Sequence, residues 1–309
     1  MLDFYLKNTT RLLRDFNQMD LDPRNLVEYV NTARKDVAGR SQCIRRLTPI
    51  SGGISSITLV NGGSGYSATP TITISAPDFP SGLAPSPQGE QATATPIIIN
   101  GVIQSIDVQV GGSGYFQPTV TIEDTTGSGA SATCNVQGLN LLNVGQEVYN
   151  FSDINLAAFP GVGGVIAVRS VAIIYSNMRY IPTYRSFTVY QANVRSYTQQ
   201  YQYTPVIYSQ FGQGTEGSLY FYPYPSQSLQ VEYDCICIPS DLTEDTSYEA
   251  IPDMWRDAVK YFAASLAYSE VQNFNAAAAM MAQYDGFMKR YGDYARPGMA
   301  TNKYGGGRW

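Results

Sequence analysis

The sequence predicts an α+β protein. N- and C-terminal helices form a helical bundle, and the chain between them forms a tyrosine-rich antiparallel β domain with an inserted small β-sandwich or barrel. Three observations in the 309 residues support this prediction. Apolar residues with helical spacing concentrate near the two ends, a glycine- and threonine-rich repeat fills residues 49–140, and tyrosine-rich alternating segments fill residues 141–240.

Residues 1–48 are predicted to form two helices. A short first helix contains Leu6, Leu12, Leu13 and Phe16. The second begins at an Asp22-Pro23 pair, because aspartate is a good N-cap and proline suits the first helical position. An amphipathic stripe at 3–4 spacing follows, made by Leu26, Tyr29, Val30, Ala33 and Val37. Gly39 is the predicted stop.

Residues 49–140 contain a repeated phrase and are read as an inserted module of two units. They carry no lysine or arginine and only five acids, and "GGSGY" at Gly62–Tyr66 returns at Gly111–Tyr115. "PTITI" follows the first copy and "PTVTI" follows the second. Each unit is predicted to be strand, GGSGY hairpin turn, strand, loop and strand, since glycine tolerates positive φ. The candidate turn positions are Gly62, Gly63, Gly65, Tyr66, Gly111, Gly112, Gly114 and Tyr115.

Residues 141–240 are predicted to be a second β region. "VIAVRSVAII" is typical of one or two strands, and the stretch from Thr204 to Pro239 of a three-strand meander. A short helix is predicted to start at Ser186. Residues 241–295 form the C-terminal helices, which pack with residues 1–48.

Residues 296–309 are predicted to be a flexible docking tail. The segment is basic, has no acid, and ends in a glycine run before tryptophan. Because tryptophan and arginine are favoured interface anchors, docking on a partner is preferred to the alternative of an end without a role. The candidate docking residues are Arg296, Lys303, Tyr304, Arg308 and Trp309.

Composition argues against catalysis, and no catalytic residue, cofactor or metal site is predicted. There are no histidines, which removes the usual general base and metal ligand. The four cysteines are read as reduced thiols, since the Cys235-x-Cys237 pair lacks a second close pair to complete a zinc site. Glu244, Asp245 and Glu249 are interpreted as charge matching at a helix N-terminus. The net charge of −5 disfavours tight general binding of nucleic acid, and no apolar run is long enough to span a membrane.

Three stretches carry a resemblance to a known family. They are "NLVEYVNTARKDVAGRSQCIRR", "GSLYFYPYPSQSLQVEYDCICIPSDLT" and "IPDMWRDAVKYFAASLAYSEVQNFNAAAAMMAQYDGFMKRY". With the order helices, β structure, helices and tail, they resemble the head-to-tail adaptor (connector) proteins of tailed bacteriophages, tail tubular protein A type of short-tailed phages. In the third stretch the similar positions are Pro252, Trp255, Ala258, Ala263 and Ala264.

The resemblance implies a structural virion protein. It implies a homo-oligomeric ring of twelve subunits, assembled in the host bacterial cytoplasm, that docks by its tail on the portal protein and meets the tail nozzle or tail-tube protein below. DNA would pass through the ring without specific binding, and the β insert would contact tail fibres or the capsid. Two alternatives stay open: a tail receptor or glycan-binding protein that uses the β repeats, and a virion-associated peptidoglycan hydrolase.

Overall fold

The chain is mixed α+β and divides into two compact units. The computed structural model describes residues 1–13, 22–67, 70–78, 89–175, 178–194, 202–212 and 214–295. Unit 1 contains Met1–Arg46, Phe159–Ala167 and Ile236–Trp309, and unit 2 contains Leu47–Ala158 and Val168–Cys235. The helices at the two ends of the chain therefore belong to the same unit.

The described chain contains the following helices and strands, each numbered in chain order. The helices are α1 (Leu2–Leu12), α2 (Pro23–Ser41), α3 (Phe187–Asn193), α4 (Asp253–Glu270) and α5 (Phe274–Ala295). The first seven strands are β1 (Arg45–Leu47), β2 (Ile54–Ser64), β3 (Thr71–Ile74), β4 (Thr93–Ile99), β5 (Val102–Val110), β6 (Val120–Glu123) and β7 (Ser128–Val136). The others are β8 (Asn140–Leu142), β9 (Val148–Asn150), β10 (Val162–Tyr175), β11 (Met178–Tyr180), β12 (Thr183–Tyr184), β13 (Gln202–Tyr203), β14 (Ile207–Phe211), β15 (Ser218–Tyr222), β16 (Tyr224–Pro225) and β17 (Leu229–Pro239).

Helix α4 is the centre of unit 1, where it packs against α1, α2 and α5. Its inward face carries small side chains, which let neighbouring helices approach closely: Ala258, Ala263, Ala264 and Ala267, all 0% exposed. Tyr268 of the same helix is buried, and its hydroxyl donates to the carbonyl oxygen of Leu12 at 2.9 Å. The last turns of α1 and α4 are thus tied by both packing and a hydrogen bond.

The predicted start of α2 is confirmed and its predicted stop is wrong. The Asp22 side chain caps the helix by accepting the N–H of Arg24 at 2.9 Å. The helix passes through Gly39 and continues to Ser41, and Gln42 ends it in the left-handed conformation with φ 51°. A single interior glycine costs only about 1 kcal/mol relative to alanine, so the burial of Val37 and Ala38 outweighs it.

Part of the predicted meander is wrong. Strands β14 and β15 form the expected antiparallel hairpin, but β15 next pairs with β9 and not with β17. Strand β17 belongs to a five-stranded sheet of order β1-β17-β10-β11, with β8 paired to β17. Its residues are buried at nearly every position, as expected for a central strand covered on both faces.

The tyrosine-rich region is not wholly antiparallel. Two short pairs, β12 with β14 and β13 with β16, are parallel. The helix predicted at Ser186 is confirmed, because α3 begins at Phe187 with Ser186 as its N-cap.

The repeat module has the six strands that the sequence predicts, but its two units exchange partners. Strand β2 pairs with β7, β3 with β6, and β4 with β5, so the described strands form three antiparallel two-stranded ladders and do not close a barrel. In each unit the first strand pairs with the third strand of the other. The ladders share one core of buried residues: Ile54, Ile57, Tyr66, Ile74, Ala92, Ile103, Ile106 and Tyr115.

Candidate interaction sites

The GGSGY glycines lie where the two repeat units touch. A Cβ atom on Gly62 would sit 2.5 Å from the carbonyl oxygen of Ile103, and one on Gly111 would sit 2.6 Å from that of Ile54. These are corresponding positions, because 49 residues separate Gly62 from Gly111 and Ile54 from Ile103. Each glycine therefore makes room for the first strand of the other unit.

The second glycine of each GGSGY copy is required for two reasons, the lack of space for a side chain and a backbone angle that other residues rarely adopt. Gly63 and Gly112 each have φ +63°, which L side chains rarely adopt. A Cβ on Gly112 would lie 2.3 Å from the carbonyl oxygen of Glu90, and one on Gly63 would lie 2.5 Å from that of Ser128. Gly65 and Gly114 also have positive φ, of 77° and 84°.

The two motif tyrosines are interior hydrogen-bond acceptors. The N–H of Ala130 donates to the hydroxyl oxygen of Tyr66 at 3.0 Å, and the N–H of Ala92 donates to that of Tyr115 at 2.8 Å. Tyr66 is 7% exposed and Tyr115 is 0% exposed. Both rings are thus turned into the core and away from any external ligand.

The predicted GGSGY hairpin turn is wrong. The strands that flank the first copy, β2 and β3, pair with β7 and β6 and not with each other. The glycines do not reverse the chain between paired strands but allow close approach between the exchanged strands.

One aspartate in each repeat unit accepts a backbone N–H from the other unit. Asp124 accepts the N–H groups of Ser67 and Gly127 at 2.8 and 2.9 Å, and Asp78 accepts those of Phe116 and Gln117 at 2.8 and 3.0 Å. Hydrogen bonds from the Ser67 side chain and then from its backbone hold the pKa of Asp124 well below its usual range.

A buried ion pair in unit 1 is the feature that the sequence analysis missed. The guanidinium of Arg34 on α2 meets Glu249 at 3.0 Å through Nε and 2.9 Å through Nη2, and the two side chains are 0% and 2% exposed. Nη1 also donates to the carbonyl oxygen of Ser240 at 2.7 Å and to Asn31 Oδ1 at 3.0 Å. The predicted charge matching of Glu249 at a helix N-terminus is wrong, because its carboxylate neutralises the buried Arg34 cation.

Asn31 and Glu249 extend this cluster to the backbone. Asn31 exchanges hydrogen bonds with Leu242 through both amide atoms, at 2.9 and 3.1 Å. Glu249 Oε1 accepts the N–H of Ile251 at 2.9 Å. Burial, followed by the charge of Glu249, raises the pKa of the nearby Tyr5 hydroxyl. The signal that could have found the cluster is the "Asn-x-x-Arg" spacing on one face of α2.

Unit 2 exposes an unusual number of large apolar side chains between residues 180 and 211, called here the aromatic patch. Its members are Tyr180, Ile181, Tyr184, Val189, Tyr203, Val206 and Phe211, exposed by 39–66%. The elements that carry them are joined directly, since the N–H of Thr183 donates to the carbonyl oxygen of Val206 at 2.8 Å. Phe211 packs on Phe187 of α3 with ring centroids 4.4 Å apart. Large apolar side chains that are exposed in this way make the segment a candidate interaction surface.

A shallow groove of about 450 Å³ adjoins the aromatic patch. Its lining residues are Val168, Arg169, Tyr184, Tyr208, Gln210 and Gly212. Tyr184 therefore contributes to both the groove and the patch. An arginine beside tyrosine rings is a common combination in protein interfaces.

The described residues offer little for metal or membrane chemistry. No three histidine, cysteine, aspartate or glutamate side chains among them are grouped so that they could hold a metal ion. None of the described helices combines the length and apolarity needed to cross a bilayer. The predicted docking residues of 296–309 lie outside the described residues, so docking by the tail stays a prediction.

The comparison with protein families decides what kind of protein this is. Residues 136–304, more than half of the chain, match the family of the SU10 adaptor protein. The chain belongs to the SU10 adaptor protein family. It is therefore an adaptor-type structural protein of a bacteriophage particle. No curated protein matches the chain. The family match begins at Val136, the last residue of β7, so the repeat module lies almost wholly outside it.

Proposed function

We propose that this SU10 adaptor protein forms a ring of about twelve copies that joins the portal to the tail and surrounds the DNA exit channel, like the tail tubular protein A type. The observation that carries the proposal is the family match over residues 136–304, which includes the aromatic patch, α4 and α5. Exposed apolar area and a low content of charged residues, 15%, suit a protein that is covered by neighbours in its assembled state.

The aromatic patch is the proposed contact between neighbouring subunits. Ile181 is 66% exposed and Tyr184 is 55% exposed. Burying such side chains against a partner stabilises the assembly by about 25 cal/mol per Å² of apolar area removed from water. A closed ring supplies that partner to every copy at once.

The C-terminal segment is the proposed dock on the portal. Residues 296–309 carry three basic residues, no acid and a terminal tryptophan. The net charge of −5 suits the wall of a channel through which DNA slides, because the phosphates are repelled and not held. The repeat module is proposed to be a peripheral addition that contacts fibres or capsid.

The test is to mix the chain with its phage's portal ring and to measure the complex by native mass spectrometry. The proposal expects about a dozen copies on each portal, and it expects a chain ending at Ala295 to lose that complex while keeping its fold. A free trimer that ignores the portal would contradict the adaptor ring and favour a receptor-binding role. The buried motif tyrosines count against that role for the GGSGY segments themselves.

A further inference from the structure

The outer faces of the two long ladders in the repeat module differ, although their inner faces share one core. Ladders β2–β7 and β4–β5 are equivalent, because each joins the first strand of one unit to the third strand of the other. Three large apolar side chains are exposed on β4–β5, where Ile97 is 44%, Ile99 is 56% and Val110 is 44% exposed. None of the three belongs to the shared core.

The repeat supplies an internal comparison for these three positions. The phrases "QATAT" at Gln91 and "GASAT" at Gly129 align the third strands, and GGSGY aligns the first strands. One apolar residue of the β2–β7 ladder, Val60, is exposed at a bulge. An equivalent ladder therefore folds with a mainly polar outer face, so the apolar face of β4–β5 is available for binding. The residues of β2–β7 that correspond to the three are polar and exposed: Asn135 for Ile97, Gln137 for Ile99 and Asn61 for Val110.

The β4–β5 face also carries a negative charge. Asp107 is exposed and lies opposite Thr95 in the register, so it is on the side of the ladder that bears Ile97 and Ile99. The corresponding residue on the other ladder is the uncharged Thr58. Because residues 49–140 contain no lysine or arginine, the module itself offers Asp107 no cation.

The aromatic patch has the opposite charge. Residues 154–215 contain four arginines and no acid. Arg179 is already in an ion pair, but Arg169 and Arg185 are exposed, and the described residues give neither of them an ion pair. Arg169 lines the groove beside Tyr184, and Arg185 follows Tyr184 in the chain. Both unpaired arginines are therefore next to a member of the patch.

A surface of this charge is a poor partner for its own copy, because arginines would face arginines. The β4–β5 face complements it in both charge and apolar character. We propose that the aromatic patch of each subunit binds the β4–β5 face of the next subunit, with Asp107 against Arg169 and Arg185. Two different surfaces on every copy make a head-to-tail contact, which is the kind that closes a ring. The inference rests on the proposed adaptor ring, and it leaves the polar β2–β7 face for fibres or capsid.

The test reverses the charges of the two surfaces and counts the subunits on the portal ring by native mass spectrometry. Asp107→Lys and the double variant Arg169→Glu with Arg185→Glu are made as separate chains. Each is expected to need about tenfold more protein than the natural chain to fill half of the portals, because like charges then meet. An equimolar mixture is expected to fill the portals as the natural chain does, with both variants in equal number, since every reversed face then meets a reversed patch. Thr58→Lys is the matched control and is expected to assemble normally.

A further variant tests the apolar part of the contact without adding charge. Ile97→Asn with Ile99→Gln copies the residues of the β2–β7 ladder, which folds with them. This variant is also expected to need about tenfold more protein to fill half of the portals, because the contact then buries less apolar area.

Three results would overturn the proposal. The first is assembly of the Ile97→Asn and Ile99→Gln chain at the concentration that the natural chain needs. The second is assembly of Asp107→Lys as readily as of Thr58→Lys. The third is a mixture that assembles no better than either of its components. In all three the natural chain still forms its ring on the portal, so the adaptor ring stands, whereas a natural chain that forms no ring contradicts both proposals.

Discussion

Replacing Gly112 by alanine tests whether the two repeat units are held together by close approach at the GGSGY motif. The new Cβ would lie 2.3 Å from the Glu90 carbonyl oxygen and 2.9 Å from the Ala92 nitrogen, and both are backbone atoms. Overpacking of this kind costs about 1–3 kcal/mol. The positive φ of +63° adds about 1–2 kcal/mol for an L residue. Gly112→Ala is therefore expected to lower the free energy of opening of the module by about 2–5 kcal/mol.

Gly65→Ala is the matched control. Gly65 has φ +77°, but the nearest atom to its added Cβ is 3.4 Å away, so this change introduces the backbone strain without the clash. The assay is amide hydrogen exchange of Ala92 and Ala130, whose N–H groups donate to the motif tyrosines. The clash alone is expected to make exchange about 5- to 150-fold faster in Gly112→Ala than in Gly65→Ala. Equal rates in the two variants would refute the close-approach explanation.

Three further changes test the other sites. Arg34→Met leaves Glu249 buried without its cation and is expected to lower the free energy of unfolding by about 3–5 kcal/mol, measured by urea unfolding followed by tryptophan fluorescence. Adding Glu249→Leu should recover most of this loss, and no recovery would contradict the ion-pair account. Because the pKa of Asp124 is lower in the folded chain, its stabilising effect is complete above the unfolded value of about 3.9 and is lost as the pH falls through the folded value. The protection factors of the module's amides, which compare each observed exchange rate with the intrinsic rate at the same pH, should therefore fall below about pH 4. Asp124→Asn should remove that dependence, and an unchanged pH profile in the variant would exclude Asp124 as the cause. Ile181→Asp is expected to change the free energy of unfolding by less than about 0.5 kcal/mol but to block ring assembly. Val60→Asp is the control, because Val60 is 68% exposed in the repeat module, and this variant is expected to fold and to assemble as the natural chain does. Ring assembly by both variants would show that the aromatic patch is not the interface.

The sequence predicts local structure well where the signal is local. The Asp22 cap, the helix that starts after Ser186 and the six strands of the module all depend on neighbouring residues, and all are present. The Gly39 stop failed because helix propensity is a weak force beside the burial of Val37 and Ala38.

Strand partners could not be predicted in the same way. The repeat shows that the two units have equal strands, but a strand alternates its faces in the same manner whichever partner it has. Only the structure shows that the two units exchange strand partners, because it places Gly62 against Ile103 and Gly111 against Ile54. Likewise β17 carries apolar residues on both faces, which indicates a central strand but does not name its neighbours.

The interaction sites were predictable to different degrees. Asn31 and Arg34 lie in the first stretch that carries the family resemblance, but the sequence alone does not indicate their role. Only the fold shows that Glu249, more than two hundred residues away in the chain, neutralises Arg34. The tail at 296–309 stays a prediction from composition.

The most direct test of the central claim is electron cryomicroscopy of the phage particle that carries this protein. The account predicts that the SU10 adaptor chain is found as a ring at the junction of head and tail, with unit 1 and unit 2 both visible in each subunit and the aromatic patch of residues 180–211 covered by a neighbouring copy. Density for this chain at the distal end of the tail or in the fibres, or a ring in which the patch faces solvent, would contradict it.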